Sequence, residues 1–241
     1  MTGWSGGRLS TWHRCPCAPC DRRAGRQRMS AMSPRAGTVG SRRRPSKGDL
    51  TSQAILDTAT RLLQTRSLDD IAVDELASGA GISRSTFYFH FASREAVLHA
   101  LSGAVLDAVY ESASSWLRRG SEPPEDSIRR ALGASLALWR RHGPVLRAAV
   151  RARDTDPSMR EFWSGVARRF IDSTADQIDI ERAAGVAPPG PDSRALATIL
   201  VQMNEQAFLA RSRARRSAAK DRELVDTLTC VWLRSVYGIA G

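Results

Sequence analysis

An all-α fold is predicted by three features of this 241-residue chain. Apolar residues recur at three- and four-residue intervals from Ile55 to Val236, the spacing that lines one face of a helix. No stretch shows the apolar–polar alternation of a half-buried strand. Capping serines and glycine or proline breaks cut the periodic run into helix-length segments. The expected architecture is an N-terminal three-helix bundle containing a helix-turn-helix, followed by a larger helical domain. The boundaries are residues 1–48 for a disordered basic leader, 49–95 for the helix-turn-helix unit and 96–241 for the helical domain.

Each element has its own justification. In residues 51–65, Ile55, Ala59, Leu62 and Leu63 share a face, and Thr51 is the expected cap. Leu68 and Ile71 anchor a short connection. A second helix fits 73–78, with Leu76 and Ala77 inward and Asp74 and Glu75 near its N-terminus, where the helix dipole favours acids. Gly79 and Gly81 tolerate the sharp turn that follows. Ser83 caps a third helix, which is short because Ser93 is the next N-cap. Phe87 and Phe91 point inward, with Phe89 a third candidate; Arg84, Ser85, Thr86, Tyr88 and His90 face outward. Val97, Leu101, Val105 and Val109 define a long fourth helix reaching about Leu117. A fifth spans 126–141 on Ile128, Leu132, Leu136 and Trp139, and Gly143-Pro144 stops it. A short helix follows to about Ala152. Pro157 opens the next one, which carries Met159, Phe162, Trp163, Val166, Phe170, Ile171 and Ile178. The loop VAPPGPD leads to two last helices at 193–211 and 221–237.

Residues 72–94 carry the functional signal. A short helix after a tight turn enters the DNA major groove and meets base edges with its N-terminal residues. Arg84 can donate to guanine, Ser85 and Thr86 allow close approach, and Tyr88 and His90 reach phosphates. Arg94, opening the next helix, can grip the backbone. The competing reading makes the aromatics a core plug and the arginines a solvated face. The two are compatible, because they use opposite sides of one helix.

Bulk charge does not carry this argument. The net charge of +11 invites a nucleic-acid reading, but residues 1–48 hold 11 Arg and Lys against the single acid Asp21. The remainder is nearly balanced, with 25 basic and 24 acidic residues. The leader, rich in Gly, Ser, Pro and Arg, has no apolar period. Arg42, Arg43, Arg44 and Lys47 are expected to help DNA affinity, and residues 1–28 to do nothing, with Met29 or Met32 a possible true start.

Cys15, Cys17 and Cys20, with His13, form a thiol cluster in this Pro-interrupted leader, with no partner pair. No metal site and no cofactor are expected. Cys230 sits on an apolar face as a small hydrophobe. No apolar run approaches a membrane span and no secretory signal is visible, which predicts a cytoplasmic protein. No nucleophile–base pair, phosphate loop or paired carboxylates suggest an enzyme; His90, His99 and His142 are isolated. The alternative is a nucleoid-type or scaffold protein that binds DNA without a ligand.

GISRSTFYFHFASREAVL closely resembles the signature of TetR-type transcriptional regulators over about residues 50–110. That resemblance implies phosphate contacts for Tyr88 and Arg94, the latter standing where lysine is usual, and DNA contacts for Ser83, Arg84, Ser85 and Thr86. It also implies a homodimer in which the last two helices pair across protomers. Such a dimer presents two recognition helices to a palindromic double-stranded operator, whose half-sites lie roughly 34 Å apart. Leu196, Ile199, Leu200 and Met203, with Leu224, Leu228, Val231, Leu233 and Val236, offer apolar faces for the seam, unless they only close the monomer core. MNEQAFLARS and ELVDTLTCVWLRSVYG are similar to the mycobacterial ethionamide-activation repressors within that family. The similarity implies a ligand channel for a small hydrophobic effector, lined by Trp139, Trp163, Phe170, Asn204, Phe208 and Trp232. Glu205 beside Asn204 is a further polar candidate. Val201 replaces a channel asparagine of that group, which makes the channel more apolar there. The implied function is a ligand-responsive repressor released from DNA by its effector.

Overall fold

A computed structural model describes residues 46–238 except position 119. These residues belong to one compact unit, Arg44–Gly241. The arm arginines 42–44, the leader cysteines with His13, and the alternative start residues Met29 and Met32 lie outside the described residues.

The first helix, α1 (Lys47–Leu62), starts earlier than the sequence suggested. Ser46 is its cap: Ser46 Oγ accepts from Asp49 N at 3.1 Å, and Asp49 Oδ2 accepts from Ser46 N at 2.8 Å. This reciprocal capping box satisfies two end groups at once, so the helix reaches into what was expected to be leader and includes Lys47 and Gly48. Thr51, expected to cap, is helical and donates to the Lys47 carbonyl at 3.0 Å instead.

A 3-10 turn (Leu68–Asp70) leads to α2 (Val73–Gly79) and α3 (Arg84–His90). The two glycines of the connection do different work. Gly81 has φ +69, the left-handed conformation that a β-carbon disfavours. Gly79 is helical, and a β-carbon there would lie 2.4 Å from Thr58 Cγ2. Its smallness lets α2 approach α1. Phe87 is fully buried beside Ile55, Ile71 and Leu76 and locks α3 down. Phe89, an inward candidate from its neighbours, is 86% exposed. Only Phe87 and the half-buried Phe91 are four apart on the inner face; Phe89 shares the outer face with Ser85.

Ser93 caps α4 (Arg94–Leu117), accepting from Ala96 N at 3.2 Å. It packs against α1 at its start and against α5 (Pro124–Arg141), α6 (Gly143–Thr155) and α7 (Pro157–Ala183) further along. Its core residues Val97, Val105 and Val109 keep the expected spacing. α7 packs on α8 (Ser193–Arg213), and α5 on α9 (Ala218–Trp232). The start of α9 is set by Ser217 Oγ, which accepts from Lys220 N. The sequence placed that start three residues late and ran the helix on to 237. The structure ends α9 at Trp232 and widens the chain into a π-helical turn, Leu233–Tyr237, closed by Gly238 at φ 66. The described residues contain nine α-helices and no strand.

Candidate DNA-facing surface and interior cavity

The outer face of α3 is built from small polar groups that hold one another. Ser83 Oγ accepts from Thr86 N at 3.2 Å and lies 2.8 Å from Ser85 Oγ and 2.9 Å from Thr86 Oγ1. Ser83 is thus first a cap, with its hydroxyl shared among its neighbours. Arg84 reaches back across the turn to Asp74 at 2.8 Å and lies over the Tyr88 ring, its Cζ 5.7 Å from the centroid. The Tyr88 hydroxyl, then Asp74, hold its pKa above the ordinary arginine value, so it stays charged. The Arg84–Asp74 pair is more than half exposed on both sides, and such pairs contribute little. Arg84 can therefore leave Asp74 for a base edge or phosphate at small cost.

Two of the sequence-predicted contacts have structural partners. His90 Nδ1 is hydrogen-bonded to Ser52 Oγ of α1 at 2.9 Å, which fixes its ring against the start of the bundle. Arg94 turns inward. Its Nη1 donates to the carbonyls of Asp69 at 2.8 Å, Leu68 at 3.3 Å and Ile71 at 3.4 Å, and its Nε donates to Glu95 at 2.8 Å. The Leu68 carbonyl already accepts the Ile71 N–H at 3.0 Å, and the planar guanidinium fork reaches it together with those of Asp69 and Ile71. Arg94, which the sequence offered as a grip on the DNA backbone, in this structure staples α4 to the helix-turn-helix unit.

The second feature lies inside the helical part. A cavity of about 110 Å³ lies between α4, α5, α7, α8 and α9. Trp139, Trp163, Phe170, Asn204, Phe208 and Trp232 all line it, together with Val201, Ala167 and Glu205. The volume is several times what one water needs. The tryptophans meet edge to face: Trp139 and Trp163 at 6.4 Å, Trp116 and Trp232 at 5.0 Å. Their indole nitrogens orient the polar wall. Trp232 Nε1 donates to Asn204 Oδ1 at 3.3 Å, and Trp163 Nε1 to Glu205 Oε2 at 3.0 Å. Glu205 also takes Arg153 Nη1 at 2.9 Å. Arg153 escaped the sequence reading because it sits 52 positions from Glu205 and only the folded chain joins them.

The family model described as bacterial regulatory proteins, tetR family, matches residues 55–101, and that of the transcriptional regulator EthR C-terminal domain matches 128–238. The HTH-type transcriptional regulator EthR of Mycolicibacterium smegmatis is 39% identical over 195 residues, covering 81% of this chain and 89% of that protein. The chain belongs to the TetR family of bacterial regulatory proteins. The EthR of Mycobacterium tuberculosis is 40% identical over 200 residues, covering 81% of this chain and 90% of that one. The fold has solved counterparts at lower identity. The TetR family regulator PfmR of Thermus thermophilus matches with a TM-score of 0.60 at 18% identity, over 76% of this chain and 98% of that one. A TetR-family regulator from Streptomyces coelicolor matches with a TM-score of 0.54 at 21% identity, over 74% and 78%.

The protein is a TetR-family helix-turn-helix transcriptional regulator; its candidate DNA-facing surface lies within the first matched segment and most of its cavity wall within the second. The seam residues expected on α8 and after it divide. Leu200, Leu228, Leu233 and Val236 are buried within the protomer and close its core. Ile199 is 64% exposed, and Leu196, Met203, Leu224 and Val231 are half-buried. Cys230 is a free thiol on α9, half-buried. Among the described residues no cluster of three metal-ligating side chains occurs, and no helix is long and apolar enough to cross a membrane.

Proposed function

We propose that this TetR-family regulator is a ligand-responsive repressor. It binds a palindromic operator as a homodimer and leaves it when a small lipophilic effector enters the cavity. One observation carries the reading: α4 forms a wall of the aromatic cavity through Leu106, Val109 and Trp116, and at its other end holds the helix-turn-helix unit through Arg94. An effector that prefers a widened cavity tilts α4, and the staple passes that tilt to α3. The two recognition helices then no longer match half-sites roughly 34 Å apart. The shift is limited to the effector's differential affinity for the two shapes. Arg84, Ser85, Thr86 and Tyr88 read and grip the DNA in this account, with Ser83 shaping their helix. Ile199 and its half-buried neighbours supply the seam with a second copy.

The test is Ala167→Trp, which fills the cavity from α7. The variant should bind a selected operator at least tenfold more weakly by gel shift while remaining folded and dimeric, since about 1.4 kcal/mol of bias toward the released shape produces that change. Normal operator binding by a folded variant whose cavity no longer admits ligand would overturn the proposal. Footprinting sharpens the result: a short palindromic footprint fits a regulator, broad coverage a packaging protein.

A further inference from the structure

The Arg153–Glu205–Trp163 group places a carboxylate at the wall of an apolar cavity. We propose that this corner is a cation site, and that the effector it takes is an apolar molecule bearing a protonated amine, which replaces the Arg153 guanidinium there. This rests on the reading of the cavity as the effector site.

Three observations point to a cation. Glu205 keeps only 16% of its side chain exposed, and a carboxylate so placed requires a counter-charge. In the structure Arg153 supplies it at 2.9 Å. The Arg153 Cζ also lies 5.8 Å from the centre of the Trp163 ring, within range of attraction to an aromatic face. The Trp163 N–H donates to the same carboxylate at 3.0 Å. That hydrogen bond pushes electron density into the indole and strengthens its face toward positive charge. A carboxylate beside a polarised indole face is a receptor for an ammonium group.

Arg153 is also placed to leave. Its side chain is 28% exposed, and its Nε lies 3.8 Å from Asp154 Oδ1, a carboxylate 76% exposed to water. A displaced guanidinium thus has a solvated partner next to it. A neutral molecule that displaced it would leave Glu205 uncompensated, whereas the exchange of one cation for another keeps its charge paired. The apolar remainder of the ligand has Trp139, Phe170 and Val201 to lie against. The exchange has a structural consequence. Arg153 is on α6 and Glu205 on α8, so replacing their ion pair unclasps the two helices, and α6 packs directly on α4.

The experiment uses two probes of one skeleton, 4-phenylbutylamine and 4-phenylbutanol, titrated into the full-length protein at neutral pH by calorimetry. Wild type should bind the amine about tenfold more tightly than the alcohol. Glu205→Gln should bring the two within about twofold. Arg153→Met, which removes the internal competitor, should tighten the amine and not the alcohol. Equal affinity in wild type, or an amine preference that survives Glu205→Gln, overturns the cation site while leaving the cavity as an effector site. If neither probe binds, the cation site is also overturned, and the Ala167→Trp gel shift decides separately whether the cavity controls DNA binding. The wild-type pair and Arg153→Met keep the test decisive if Glu205→Gln does not fold.

Discussion

Two ion pairs of nearly equal length mark the two working regions of this molecule. Arg84 meets Asp74 at 2.8 Å on the DNA-facing helix, and Arg153 meets Glu205 at 2.9 Å at the cavity wall. Their surroundings differ. The first pair is 60% and 63% exposed, the second 28% and 16%. Water screens the first, so it contributes little. The second is screened less, and removing one partner strands the other. Length does not tell the two roles apart; burial does. On the proposed function, a surface that exchanges its partners for DNA keeps them cheap to lose, and a clasp that holds until a ligand arrives keeps them expensive to break.

The aromatic run tests the same contrast most severely, because it holds both cases within three residues. Phe87 is fully buried and Phe89 is 86% exposed. Phe87→Ala should cost about 3–5 kcal/mol in urea unfolding. Phe89→Ala should stay within roughly 0.5 kcal/mol of wild type, and any loss should appear only in DNA affinity. Comparable destabilisation by both would break the division into an inner and an outer face.

At the two ion pairs the expected effects are smaller. Glu205→Ala removes the acceptor of the Trp163 indole and the partner of Arg153, and should cost about 1–3 kcal/mol. Asp74→Ala should cost less than Glu205→Ala, because water screens its pair with Arg84. Thermal denaturation of both variants checks the ranking. An Asp74 variant as unstable as the Glu205 variant would show that exposure does not set the difference.

The two regions were also unequally legible in the sequence. Most of the helix-turn-helix unit is written in local chemistry: Ser83 and Ser93 as caps, Gly81 as the turn, Phe87 as the plug. Each acts over three or four positions, so spacing alone exposes it. Ser46 gave no signal as a cap, because its capping box lies among the charges of the leader, where no apolar period announces a helix. The six cavity residues were named through family resemblance, since spacing alone could not separate a cavity-lining tryptophan from a core one. Arg153 had no local signal, because its meaning comes from a partner 52 residues away. The buried seam residues show the same limit: Leu228 and Val236 share the spacing of an interface, but Leu228 spends its face on the protomer's own helices and Val236 is buried in the π turn.

Arg94 gives a sharper test, because it belongs to both regions. Its guanidinium holds two carbonyls of the 3-10 turn and that of Ile71 just after it. Arg94→Met should therefore lower stability by about 1.5–3 kcal/mol, the range for hydrogen bonds to a charged group. Arg84→Met should leave stability unchanged and weaken operator binding. The staple adds a second expectation. Arg94→Met should weaken the link between the cavity and the groove, so that Ala167→Trp has less effect on operator binding in its presence. Additive effects of the two substitutions on operator affinity would sever that link.

The smallest expected effect is one of pH, and it separates the regions by where acid reaches them. His142, between α5 and α6, has its pKa lowered below the ordinary 6.5, first by burial and then by Arg141. The unfolded chain takes up a proton near 6.5 that the folded chain refuses. Its contribution to stability is fully present above 6.5 and is lost as pH falls through the lower folded value. The capping acids of the helix-turn-helix unit titrate further down. The Ser46 backbone N–H holds Asp49 below 3.8, and the Ala72 N–H holds Glu75 below 4.5, so their contributions survive until pH falls beneath those values. Melting temperature should thus begin to decline just below pH 6.5 and steepen below about 4.5. His142→Asn should flatten the upper decline and leave the lower one. An upper decline that persists in that variant would place the first acid-sensitive group elsewhere and remove this distinction between the helical domain and the DNA-facing unit.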